Sequence, residues 1–166
     1  MKTITYKKIL ITYDGSELAS SAIPHATYLA KLLHSEVILL HVINSVEQEI
    51  AMTSTASIYP GNMPAINTME IVKANKVKAA NEVSKIRKLL TESGITKVSA
   101  RVVEGVPGKK IVDIANKEKC DLIIMSTHGR SGLGRALLGS VADYVIRNAL
   151  CPVLVIHPGP EGGERI

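Results

Sequence analysis

Short, almost wholly apolar runs alternate along the chain with longer stretches whose apolar residues recur at helical spacing, the pattern of parallel strands joined by crossover helices. Five runs read as strands: Lys8–Tyr13, Glu36–Ile43, Lys97–Val103, Asp121–Met125 and Pro152–Ile156. All but the third are apolar at nearly every position, as strands covered on both faces are. After the first strand, Ser16 is placed to cap a helix with Glu17 in its first turn and Leu18, Ala22, Ala26, Leu29 and Leu33 as its apolar stripe. Pro24 predicts a kink in it. The clearest helix spans Val72 to Glu92, with Val72, Ala79, Val83, Ile86 and Leu90 on one face and Gly94 as its terminator. Pro107 can open a third helix that turns Ile111, Ile114 and Ala115 inward. A fourth is expected from about Gly139 to Asn148, with Val141, Val145 and Ala149 inward.

The chain of 166 residues has room for one hydrophobic core. The expected organisation is a single domain over residues 1–158 and a mobile tail over 159–166. Residues 45–67 break the short-connection rule and are read as a flexible flap over the end of the sheet, with Ile50, Met52 and Met63 as lid contacts. No apolar run approaches the roughly eighteen residues of a membrane span. Past the basic start, the apolar run Ile9–Ile11 is too short for a signal peptide, so a cytoplasmic protein is expected.

The chain has five Tyr and neither Phe nor Trp, so the core must be aliphatic and stacking platforms for single-stranded nucleic acid are disfavoured. Cys120 and Cys151 form no zinc or redox spacing and read as buried structural thiols. Residues 71–119 carry twelve Lys/Arg against five Asp/Glu, which concentrates the net charge of +5 on one stretch. No nucleic-acid-binding motif accompanies it, and a solvated helix face accounts for the pattern.

The stretch Ser126 to Val141, STHGRSGLGRALLGSV, follows the fourth strand and leads into the fourth helix. Glycines there let backbone N–H groups approach phosphate oxygens, a helix start attracts negative charge, and Arg130 and Arg135 add positive charge. It is not a Walker A loop, because Gly129 and Gly134 have the spacing but Arg135 and Ala136 follow. Nor is it a dinucleotide fingerprint, because Gly132 and Gly134 are followed by Leu137 at the required glycine. His128 lies in the loop with no activated nucleophile beside it. His41, on an apolar strand, reads as a core histidine. Asp14 before Gly15 can start a turn or cap the first helix, and Ser140 can be an N-cap, a phosphate contact, or both.

The loop resembles the nucleotide-binding branch of the universal stress protein family, whose motif is Gly-x2-Gly-x9-Gly-Ser/Thr. Gly129, nine intervening residues and Gly139-Ser140 match it, while Ser126 stands at the first glycine. The likeness extends through Ile9-Leu-Ile-Thr-Tyr-Asp14-Gly-Ser, Leu39-Leu-His-Val42, Asp121-Leu-Ile-Ile and Cys151-Pro-Val-Leu-Val. The resemblance implies an α/β domain with an open parallel five-stranded sheet of order 3-2-1-4-5, helices on both faces, of the adenine nucleotide alpha hydrolase-like kind. It also implies a homodimer and an ATP or AMP site. Thr12, Asp14 and Val42 would line the adenosine, and Ser126, Gly129, Arg130, Gly139, Ser140 and Val141 the phosphates. Any Mg²⁺ or Mn²⁺ would come with the phosphates, near Asp14. Three classes of function follow: a nucleotide-responsive regulatory dimer, a dimeric interaction module without nucleotide, or a slow ATPase or self-phosphorylating protein. No catalytic residue can be named. Dimerisation is expected through the exposed edge Val153, Leu154, Val155 and Ile156.

Overall fold

The computed structural model describes residues 4–45, 68–127 and 138–157. Five strands, β1 (Lys8–Thr12), β2 (Glu36–Ile43), β3 (Val98–Glu104), β4 (Leu122–Ser126) and β5 (Val153–Ile156), alternate with four helices, α1 (Glu17–Leu32), α2 (Thr68–Glu92), α3 (Pro107–Lys117) and α4 (Ser140–Asn148). The strands form one sheet in the order β3-β2-β1-β4-β5, every pair parallel. Strand ends differ by a residue from the apolar runs, because pairing decides them: Ser126 extends β4 by pairing with Ile156, and Glu104 extends β3 by pairing with Ile43.

Alternation along the strands sorts the core into two layers. Ile9, Ile11, Val37, Leu39 and Ile124 face Ala26 and Ala30 of α1 and Val83 and Leu90 of α2. Leu10, Ile38, Leu40, Ile123 and Met125 face Ile111, Val112 and Ala115 of α3 and Ala142 and Val145 of α4. Among the described residues no tyrosine belongs to the fully buried set, and aliphatic side chains carry both layers.

Ser16 caps α1, its Oγ accepting from Ala19 N at 3.0 Å, and the helix is uninterrupted across Pro24. Its buried stripe is Ala19, Ala22, Ala26 and Ala30 rather than the leucine-bounded stripe expected; Leu33 is the C-cap and lies exposed. Small side chains let this helix sit close on the sheet, which turns the larger Leu18 and Leu29 to its flanks.

Helices α1, α2 and α3 end alike. A left-handed residue donates to the carbonyl three before it, and the next residue donates to the carbonyl five before it: His34 to Lys31 and Ser35 to Ala30, Gly94 to Thr91 and Ile95 to Leu90, Lys119 to Asn116 and Cys120 to Ala115. This is the Schellman arrangement, and it reverses the chain directly into the next strand. Only one of the three left-handed positions is glycine.

Candidate functional site

In an open α/β sheet the crevice opens at the carboxyl edge where strand order reverses, here between β1 and β4. A cavity of about 290 Å³ lies there, walled by the ends of β1, β2 and β4 and by the first turns of α3 and α4. Thr12, Asp14, Val42, Ser126, Gly139, Ser140 and Val141 all line it. Gly129 and Arg130 lie outside the described residues, as do His128 and the flap residues Ile50, Met52 and Met63.

The β1 end is shaped by a turn. Asp14 Oδ1 accepts from Ser16 N at 2.9 Å, Gly15 takes φ 82°, and α1 begins at once. The turn-forming role of Asp14 is therefore real, and it fixes the carboxylate at the cavity wall. On the other side, Gly139 N donates to Thr127 O at 2.8 Å, which draws the start of α4 onto the end of β4. Thr127 N in turn donates to Ile156 O at 2.9 Å.

The N-cap of α4 is Gly139, not Ser140, which is the first helical residue and exposed. Glycine brings no capping side chain, and the first backbone bond of the helix is Asp143 N to Gly139 O at 2.9 Å. The N–H groups of Ser140, Val141 and Ala142 thus lack partners within the helix, and all three residues line the cavity. Three donors and the positive end of the helix dipole make an anion-binding edge.

Ser126 is buried, the last residue of β4. Among the described non-glycine residues only His34 and Lys119 have positive φ, so serine in place of the motif glycine bears no left-handed strain.

The opposite part of the cavity is apolar, lined by Leu40, Val42, Ile43, Pro107, Ile111 and Met125. Besides Asn44, just past the end of β2, a polar side chain from a different element also escaped the sequence reading: Asn75 of α2. It stands three residues after Val72 and four before Ala79, on the buried stripe of its helix. A polar residue interrupting an otherwise apolar stripe was the available signal.

His41 is fully buried in β2 with the Tyr13 ring set edge-on at 5.9 Å, in keeping with a core histidine. Cys120 is buried and Cys151 half-buried, both free, and burial pushes the Cys120 thiol up to about 11. Among the described residues no helix is long and apolar enough to cross a membrane, and no three His, Cys, Asp or Glu gather as metal ligands.

Sheet order and helices on both faces define an α/β protein of the adenine nucleotide alpha hydrolase-like fold. Residues 5–157 match the model of the universal stress protein family, and the chain belongs to that family. It is 40% identical over 152 residues to universal stress protein MJ0531 of Methanocaldococcus jannaschii, covering 91% of this chain and 82% of that one. The solved structure of hypothetical protein MJ0577, itself a universal stress protein of the same organism, superposes with a TM-score of 0.79 at 37% identity, covering 95% of this chain and all of that one. The universal stress protein of Archaeoglobus fulgidus, solved in complex with dAMP, shares the fold at 19% identity with a TM-score of 0.59, covering 92% of this chain and 98% of that one.

Proposed function

We infer that this chain binds ATP or AMP in the crevice and works as a nucleotide-responsive regulatory dimer in stress response. The observation that carries the reading is the convergence, in one cavity, of three N–H groups at the α4 start, a carboxylate at the end of β1 and an apolar wall at the end of β2. These are the three chemistries of a nucleotide, phosphate, ribose and base, laid out in order across β4, β1 and β2. Adjacent strands are about 4.8 Å apart, so the three strand ends span roughly 10 Å, the extent of a nucleoside. Asp14 suits the ribose hydroxyls, Thr12 and Val42 flank the base, and Ser126 and Ser140 add hydroxyl donors beside the phosphates. Gly129 and Arg130 join the phosphate set by their place in the motif. The dAMP complex of the Archaeoglobus fulgidus protein is consistent with a fold that accepts such a ligand.

Among the described residues Asp14 is the one carboxylate on the cavity wall, and one of its oxygens already accepts from Ser16 N. A divalent ion would therefore be held chiefly by phosphate oxygens and water, and would screen phosphate charge.

The dimer is assigned to β5, an edge strand whose Val153, Leu154, Val155 and Ile156 are only half-buried. Native mass spectrometry of freshly purified protein tests both halves of the reading. A mass of two chains, with or without added adenine nucleotide mass, is expected for the dimer, and added ATP should give a discrete bound species. Monomer with no adduct at millimolar ATP would contradict it.

A further inference from the structure

We propose that Asn75 reads the exocyclic amine of the base, and so makes the crevice selective for a 6-aminopurine; this rests on the nucleotide reading above. Asn75 is half-buried on the inward stripe of α2, where a polar side chain costs desolvation unless it meets a partner. It lines the cavity. None of the side-chain hydrogen bonds among the described residues involves it.

Its position fits the base end of the site. The neighbouring Lys76 Nζ meets Glu104 Oε1 at 2.8 Å, which holds this turn of α2 at the end of β3. Sheet order puts β3 and β2 on one side of β1, and β4 with the α4 start on the other. A nucleotide with its phosphates at Ser140 to Ala142 therefore directs its base along the wall of Val42, Ile43 and Pro107 toward Asn75.

The chemistry matches there. Adenine presents an amine donor beside a ring-nitrogen acceptor, and a carboxamide presents one acceptor and one donor at the same separation. Removal of the amine from the ligand leaves the carboxamide oxygen buried without its donor, which is how a site built for a polar group rejects the analogue lacking it.

The test compares ATP with purine riboside 5′-triphosphate, which lacks only the amine, on wild type and Asn75→Ala, with thermal melts establishing that both are folded. Wild type should bind the analogue roughly three- to tenfold more weakly than ATP. Asn75→Ala should bind the two alike, with ATP weakened to near the analogue's affinity. If the alanine variant is unfolded, the near-isosteric Asn75→Asp substitutes for it: loss of the N–H donor should weaken ATP while preference for the amine remains. An alanine variant that discriminates as wild type does, or an aspartate variant with unchanged ATP affinity, would overturn the role of Asn75 and leave the nucleotide site standing. Wild type that binds neither triphosphate would instead overturn the nucleotide reading itself.

Discussion

Arg101 reaches from the edge strand β3 to Glu118 at the end of α3, with Nη1 to Oε1 at 2.7 Å. This bond, with the positive charge of Arg101 and its lysine neighbours, holds the Glu118 carboxyl below its ordinary value of 4.5. A carboxylate whose folded value is depressed contributes stability above its unfolded value and loses it as pH falls through the folded one. Glu118→Gln should thus lower the urea midpoint slightly at pH 7, and the gap should close as pH drops below about 4.5. The pair is only partly buried and still open to solvent, so salt should shrink the gap as well. A gap unchanged at pH 3 would place the effect elsewhere.

Single residues also mark where the sequence could and could not be read. Asp14 and Gly139 were legible because turn chemistry and the motif spacing name them. Ser126 departs from the motif glycine in the sequence, and only its pairing with Ile156 as the end of a strand shows that the backbone there suits a serine. Asn75 was hidden because helical periodicity identifies apolar positions, and only the position of the helix against the sheet edge turns a polar exception into a cavity wall.

Helix ends decide how the elements join. His34 with φ 51° and Lys119 with φ 54° occupy left-handed positions that Gly94 fills without strain at the end of α2. A side chain in that region costs about 1–2 kcal/mol, part of which glycine returns through its freedom in the unfolded chain. Lys119→Gly and His34→Gly should each stabilise by about 0.5–1 kcal/mol and raise Tm by about 2–4 °C in a calorimetric scan. A fall in Tm for both would show that the side chains make compensating contacts.

The α3–α4 crossing is tight for a different reason. A Cβ at Gly108 would lie 2.8 Å from Tyr144 Cδ1 and 3.0 Å from Tyr144 Cβ. Gly108→Val should therefore destabilise by about 1–3 kcal/mol, the range for overpacking, and Tyr144→Ala in the same chain should recover part of it. Thermal melts of the four proteins check this; additive losses would mean that the two helices do not meet there. Elements were the most legible level of the sequence. Strands buried on both faces announce themselves as apolar runs, whereas the alanine stripe of α1 yielded to the leucines in any reading that ranks positions by hydrophobicity.

The open sheet leaves β5 as an edge with half-buried aliphatic side chains, and the proposed dimer covers it. Leu154→Lys should convert a dimer of wild-type chains to monomer at tens of micromolar in light scattering, because it places a charge on the surface to be paired. Wild type that is itself monomeric at that concentration would remove the dimer from the account. The sheet order followed from the family resemblance, while apolar runs alone showed only that the strands are parallel and buried. Residues that the sequence scatters over more than a hundred positions, from Thr12 to Ala142, line one cavity because parallel strands all end at the same edge.

The most direct test of the central claim is calorimetric titration of the wild-type chain, Ser126→Gly and Gly139→Val with ATP and with AMP. Saturable binding by wild type is expected, with Ser126→Gly equal or tighter because the serine backbone is unstrained, and with binding lost in Gly139→Val because the new side chain stands at the phosphate-facing start of α4. No saturable heat with either nucleotide at millimolar concentration, from wild type that melts cooperatively, would contradict the nucleotide site and leave the dimeric interaction module as the function of this fold.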